Sequence, residues 1–373
     1  MSPSGSLKDR LRSVTDEARE VDLMAARAPR LVDSANMPSN LSKKPLTKVS
    51  PVNAGWRQIY WMLSAAIAVA SSASSVAAHS VALTFDDLPV FGRFDSAAQG
   101  AAVTDRLLAG LRRHRLKATG FVNEDQLEAA DRPQRVMILK QWLDAGMDLG
   151  NHTYSHLSLN TTPVDAYIAD VVRDETVTAP LLASRGKRER WFRYPYLETG
   201  KTRDIRDRFE SWLKKRGYRV APVTMENSDW QFSGPYDKAV EQGNRREAIR
   251  IQDQYLEFTK RIVAWYEYAG YKLFGRTPTF VFLLHASRLN AASMDGIAKI
   301  LRDANFRVVS LDKATRDKAY RTADTYVGPD GIEWLERWSQ TLHRDLPWDS
   351  IPVVPPDIVA ADAKLEKSAG DKH

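Results

Sequence analysis

The sequence predicts an α/β fold built from parallel βαβ units. Seven short apolar runs alternate with longer amphipathic segments, and the segments carry helical rather than alternating spacing. Unusual polar residues also collect directly after the apolar runs, where a parallel sheet opens its carboxyl ends on one side. Residues 80–85 (SVALTF) read as the first buried strand, and 103–114, with Leu107, Leu108 and Leu111, as a helix. The second strand is 118–122 (ATGFV); the helix after it, 133–144, begins with a proline suited to a first turn. Residues 147–150 form a short third strand, followed by a helix over 163–183. Residues 190–194 (RWFRY) are the fourth strand, and the helix over 201–216 stops at Gly217. Residues 218–225 are the fifth strand, before a long charged amphipathic segment over 236–271. The sixth strand is 279–285 (TFVFLLH), then a helix over 291–304 and the seventh strand at 306–311. From about Asp312 the pattern weakens: 331–338 (GIEWLERW) predicts one more helix, and the Pro-rich 346–358 reads as a tail.

This divides the chain into four parts. Residues 1–55, of mixed charge with Pro29, Pro38, Pro45 and Pro51, read as a disordered extension. Residues 56–78 have the layout of a signal peptide: Arg57, an apolar run over 59–70, and small residues Val76, Ala77 and Ala78 ahead of a cut after Ala78. The run is about a dozen residues, short of the roughly 20 that cross a hydrocarbon core. The expectation is therefore export to the periplasm or beyond, with no stable membrane span after cleavage; an uncleaved anchor is the alternative. A signal peptide this far along also predicts a start downstream of Met1, at Met37 or near Val52. Residues 79–315 form the main domain, with a helical insertion at 236–272, and 316–373 a C-terminal extension.

Bulk composition excludes more than it assigns. The 373 residues, 43% of them hydrophobic, suffice for one large core. A net charge of +7 without dense Arg/Lys clusters gives no nucleic-acid groove. The absence of cysteine removes disulfides, thiolate zinc sites and cysteine nucleophiles together.

The chemistry-bearing residues fall at five strand ends. Asp86 and Asp87 follow the first strand, His152 and His156 the third, Arg193 and Tyr196 the fourth, Asp229 and Trp230 the fifth, and His285 ends the sixth. Each has a plainer reading alone: an Asp pair as a turn or cap, a His pair as surface polarity, Arg193 as a structural ion pair, His285 as a satisfied core histidine. His79, His114 and His343 lack such context and read as surface residues. Jointly, one carboxylate and two histidines make a mixed N and O donor set for a divalent metal. Adjacent aspartates diverge, so one can bind the ion while its neighbour takes a proton, and a distant histidine oriented by an aspartate can return one.

In that order, TFDD, HTYSH, RYPY, DW and LLH resemble the five motifs of the polysaccharide deacetylases, the NodB-homology or carbohydrate esterase family 4 enzymes, over roughly residues 81–311. The resemblance implies a distorted (β/α) barrel of about seven parallel strands. It implies Asp86 as catalytic base, and Asp87, His152 and His156 as ligands of a divalent metal, usually zinc, with cobalt or another divalent ion as alternatives. Arg193 would pair with the base, Tyr196 would give its backbone N–H to the oxyanion, and Asp229 would tune His285, the general acid. Trp230 and Leu283 would wall the acetyl methyl pocket. The reaction implied is removal of acetyl groups, mainly N-acetyl, from a glycan such as peptidoglycan, chitin or xylan.

Three features depart from that pattern. Leu197 follows Tyr196 where glycine is common, Glu226 stands where the fourth motif often has Asp, and the stretch between Trp230 and His285 is long. Its Tyr255, Trp265, Tyr266, Tyr268 and Tyr271 read as core packing rather than a substrate wall. Two alternatives keep the barrel: a hydrolase of small linear amides or imides, and a non-catalytic glycan-binding protein. The intact Asp-His-His set speaks against a metal-free amidase, and Asp86 with His285 against loss of catalysis.

Overall fold

A computed structural model describes residues 78–92 and 94–370. The expected disordered extension and signal peptide, the cut at Ala78 and the downstream start thus lie essentially outside the described residues. The strands are β1 (His79–Leu88), β2 (Ala118–Val122), β3 (Asp148–Asn151), β4 (Trp191–Phe192), β5 (Arg219–Val220), β6 (Met225–Glu226), β7 (Phe280–His285) and β8 (Phe306–Val308). The helices are α1 (Ala97–Arg113), α2 (Arg132–Asp144), α3 (Val164–Arg173), α4 (Thr178–Ala183), α5 (Arg203–Arg216), α6 (Asp229–Glu241), α7 (Arg245–Phe274), α8 (Arg288–Asp303), α9 (Leu311–Ala314), α10 (Trp334–Leu342) and α11 (Pro356–Gly370).

Seven strands run in the order β5-β4-β3-β2-β1-β7-β6, every pair parallel, and β8 joins the start of β1. The sheet curls into a half-barrel whose two edge strands are not bonded to each other. β1 is an interior strand with Val81, Ala82, Leu83 and Phe85 all buried, the two-sided burial a parallel strand requires. Helix ends follow local chemistry: Ser96, Thr202, Asn244 and Ser287 accept backbone N–H bonds at the starts of α1, α5, α7 and α8, and Gly217 ends α5 with φ +90°.

Four expectations need correction. The strand expected over 218–225 is two short ones, β5 and β6, because the intervening residues, Pro222 among them, turn from one edge of the open barrel to the other. The helix over 163–183 is two, α3 and α4, and the charged segment over 236–271 is α6 followed by the 30-residue α7. The Pro-rich stretch does not trail away as a tail. Trp334, Leu335 and Trp338 of α10 and Ile358 of α11 are buried, and the Trp334 N–H donates to Val223 O at 2.7 Å, in the turn between β5 and β6. Among the described residues no helix is long and apolar enough to cross a membrane.

If α10 is part of the core, Trp338→Ala should lower unfolding stability by about 3–5 kcal/mol, seen as a lower urea midpoint for one cooperative transition. A midpoint equal to wild type would show that residues 316–370 contribute nothing to the fold.

Candidate active site

Parallel register places the polar residues. Thr84 and Asp86 of β1 are the ladder partners of Leu283 and His285 of β7, and Glu226 of β6 is also partnered with Leu283. Side chains two apart share a face, so these residues all face one side of the sheet. The site lies where that face meets the strand ends. It is a pocket of about 370 Å³, lined among others by Asp86, Asp87, His152, His156, Trp230 and His285. Tyr196 and Leu283 also line it, so eight of the ten residues singled out from the sequence share one pocket; Arg193 and Asp229 lie behind it, paired with Asp86 and His285.

Arg193 is 0% exposed. Its Nη1 donates to both oxygens of Asp86 at 3.0 and 3.2 Å, its Nη2 to Thr84 Oγ1 at 3.0 Å and its Nε to Ala221 O at 2.8 Å. Burial pushes the Asp86 carboxyl up to about 6 despite the guanidinium beside it. The next residue, Asp87, has φ +61°, which swings its side chain away from that of Asp86. Asp87 Oδ1 lies 3.4 Å from His152 Nε2 and 3.5 Å from His156 Nε2.

The residues fit a divalent cation. His152 Nδ1 lies 2.8 Å from Arg193 O, a bond it can only donate, so in the neutral ring Nε2 carries the lone pair facing Asp87. Burial, then His156, keeps His152 well below the usual histidine range, and burial also lowers His156. Asp87 Oδ1 is buried with no hydrogen-bond donor. Acceptors facing acceptors at this distance need a positive centre between them, and one ligand atom from each of the three residues lies within 4.8 Å of the others.

Across the pocket, Asp229 at the start of α6 holds His285. Its Oδ1 lies 2.7 Å from His285 Nδ1, and its Oδ2 accepts the His285 backbone N–H at 2.7 Å. Burial disfavours the imidazolium, but the Asp229 carboxylate, helped by Asp87 and Asp86, outweighs it and raises His285 to about 9. Such a site can hold one carboxylate to accept a proton, one imidazolium to give one, and a donor set for a Lewis acid in the same pocket.

Several participants carried no clear sequence signal. Asn290 of α8 donates to Asp229 and to His285 O, and accepts the Tyr255 hydroxyl at 2.6 Å. Asn123 donates to the carbonyls of His152 and Thr153, both at 2.8 Å. Phe91 packs on His285 with ring centroids 4.5 Å apart. Thr84 was discoverable, since it shares a strand face with Asp86. Tyr255, Trp265 and Tyr266 are core residues as expected, but Tyr268 and Tyr271 are exposed at 49% and 56% and do not line the pocket. His79 and His114 pair with Glu267 and Asp295, and His343 is exposed.

Tyr196 and Leu197 both have positive φ, 56° and 57°. The departure from glycine at 197 therefore leaves a left-handed turn in place, held by a bond from Arg337 Nη2 to Leu197 O at 2.7 Å. Gly331 presses on the same turn: a Cβ there would lie 1.7 Å from Tyr196 O.

Residues 73–221 match the family model described as polysaccharide deacetylase. A curated relative, the peptidoglycan-N-acetylglucosamine deacetylase of Bacillus cereus, is 27% identical over 151 residues, 40% of this chain and 46% of the relative. The chain thus spans about half the length of the curated relative it matches. Among solved structures, the chitin deacetylase from the fungal pathogen Colletotrichum lindemuthianum is 20% identical with a TM-score of 0.46, over 64% of this chain and 88% of that one. A pseudoenzyme of the CE4 family from Bacillus anthracis is 19% identical with a TM-score of 0.43, over 64% and 65%.

Gly331→Ala should cost about 3 kcal/mol, because the backbone it strikes cannot yield, and lower Tm by roughly 5 °C. An unchanged Tm in a thermal melt would mean that the 331 segment does not brace the Tyr196 turn.

Proposed function

We propose that this chain, whose residues 73–221 match the polysaccharide deacetylase model, is a member of that family and removes acetyl groups, chiefly N-acetyl, from a glycan such as peptidoglycan, chitin or xylan. What carries the reading is one juxtaposition: Asp86 backed by Arg193 and His285 backed by Asp229 stand in neighbouring strands, in register, in the same pocket as the Asp87, His152 and His156 donor set. Zinc, or cobalt or another divalent ion, would be held by Asp87, His152 and His156, and when bound would polarise the acetyl carbonyl and acidify a water.

The protein's own groups then divide the proton work. Asp86, kept anionic and oriented by Arg193, takes the proton of the water that attacks the acetyl carbon. The Tyr196 backbone N–H donates to the carbonyl oxygen as negative charge grows there. His285, protonated through Asp229, gives its proton to the nitrogen as the C–N bond breaks, so acetate and an amine leave. Trp230 and Leu283 would enclose the methyl group and leave little room for larger acyl chains. Export through residues 56–78 would bring the enzyme to such glycans.

Asp86→Asn should lower kcat for acetate release by about 10²–10⁴ with bound metal retained, whereas His152→Ala should lose both metal and turnover. Wild-type rates in Asp86→Asn, with metal analysis unchanged, would remove it from the chemistry.

The acid must be protonated, so kcat/KM should fall as pH rises through about 9, the value to which His285 is raised. Asp229→Asn removes the charge that raises it, and the alkaline limb should move to lower pH. A pH profile whose alkaline limb is the same in both proteins would exclude His285 as the acid.

A further inference from the structure

The end of the half-barrel opposite the pocket, where the parallel strands begin, is closed by residues 311–321, whose acids point inward. Asp312 of α9 pairs with Arg190 and Arg219, at the starts of β4 and β5. Asp317 pairs with Arg276 and accepts the Thr279 N–H at 2.9 Å, just ahead of β7. The Tyr320 hydroxyl donates to Thr279 O at 2.9 Å. Lys313, Arg316, Lys318 and Arg321 of the same segment stay exposed. Arg307, exposed in β8 opposite Ser80 of β1, and Lys272, exposed near the end of α7, lie at this end too. Among the described residues none of these cations has an ion-pair partner. Neighbouring acids are engaged, Glu267 with His79 at 3.0 Å and Asp303 with Lys299; exposed Asp345 is offset by Arg344, which donates to Leu273 O. Tyr268 and Tyr271 on α7, exposed at 49% and 56%, flank the cations. β1 starts here as well, so the residues before His79, with their apolar run over 59–70, join the body at this end.

We propose that these cations, with Tyr268 and Tyr271, form a docking surface for an anionic lipid bilayer. Phosphate headgroups supply the countercharge that the protein leaves out, each cation near the surface strengthening attachment about fivefold. Lysine and arginine reach such headgroups with their charged tips while their stems lie along apolar surface. A soluble polyanion would need the cations alone. Exposed tyrosines gain where an apolar layer lies beneath the charge, and the run over 59–70 enters the body beside them. The pocket opens at the carboxyl ends of the same strands, so a molecule seated on this end turns its pocket away from the lipid. The surface is separate from the pocket and stands whether or not the chain releases acetate.

Co-sedimentation of the full chain with phosphatidylcholine vesicles, with and without about one third phosphatidylglycerol, tests the surface. An apolar run contributes to both kinds of vesicle alike, so the quantity to read is the ratio of the two partition coefficients. Wild type should favour the anionic vesicles at least about 100-fold, and less at high salt. The triple variant Arg316→Gln/Lys318→Gln/Arg321→Gln changes exposed side chains only; with an unchanged Tm it should lower that ratio at least about tenfold. Lys201→Gln/Arg203→Gln removes exposed cations at the opposite end, where α5 begins, and should leave the ratio unchanged. Tyr268→Ser/Tyr271→Ser should weaken attachment to anionic vesicles about tenfold while binding long-chain polyphosphate as wild type does. A wild-type ratio near one, a triple variant that keeps the wild-type ratio, or a control that loses as much would overturn the proposal. Tyrosine variants that attach to the vesicles as well as wild type would assign the cations to a polyanion with no apolar layer beneath it, and overturn the bilayer as the partner.

Discussion

A guanidinium with no exposed surface sets the terms for this structure. Stranding Arg193 in the interior without partners would cost about 3–5 kcal/mol, so the chain must bring acceptors to it. They come from Asp86 and Thr84 of β1 and from Ala221 just after β5, while the carbonyl of Arg193 itself fixes the ring of His152 after β3. Thr84 in turn donates to Phe282 O in β7 at 2.9 Å. One side chain thereby ties together an interior strand and one edge of the half-barrel. The bonds that make its burial tolerable are the same ones that orient Asp86 and aim His152 at Asp87, so fold and site geometry are not separable here.

Strain is concentrated around the same rim. Asp87, Thr153, His156, Tyr196, Leu197 and Ser228 all have positive φ without being glycine, and all lie at strand ends beside the pocket. Such conformations cost about 1–3 kcal/mol each and persist only where the surroundings over-determine them. The supports are identifiable. Asn123 holds the carbonyls of His152 and Thr153, Asn151 Oδ1 accepts the Thr153 N–H at 3.0 Å, and Arg337 holds Leu197. A side chain such as Leu at position 197 is tolerable because residues from much later in the chain pack against the turn.

Which parts of this could be read from the sequence follows from how local their causes are. β1, β2 and β7 are mostly apolar runs with polar residues at their ends, a signal contained within each run, and the pocket residues on β1 and β7 were found because they sit at those ends. The split between β5 and β6 was hidden, since 218–225 is apolar enough to pass for one strand and only the open edge of the barrel separates its halves. The burial of 316–370 was hidden for another reason. Trp334, Trp338 and Ile358 are scattered among prolines and charges, and only the surfaces they meet reveal them as core. Asn290 and Tyr255 are ordinary helix residues in sequence; their place beside Asp229 exists only after α7 and α8 have packed.

That division suggests how chemistry and selectivity are distributed. The groups proposed to move protons and hold the cation all come from the barrel strands and the turns that leave them. The long α7 contributes Tyr255, which through Asn290 reaches the carboxylate of Asp229 and so steadies the imidazole of His285 from behind. The C-terminal segment contributes Gly331, Glu333, Val354 and Val359 to the pocket wall. An open half-barrel leaves its rim accessible to a long polymer. Here α10 and α11 build up one side of that rim, and the wall they add carries carboxylates rather than the cations abundant elsewhere in the chain. The residues that close this side of the pocket therefore belong to segments other than those that carry the Arg193 network.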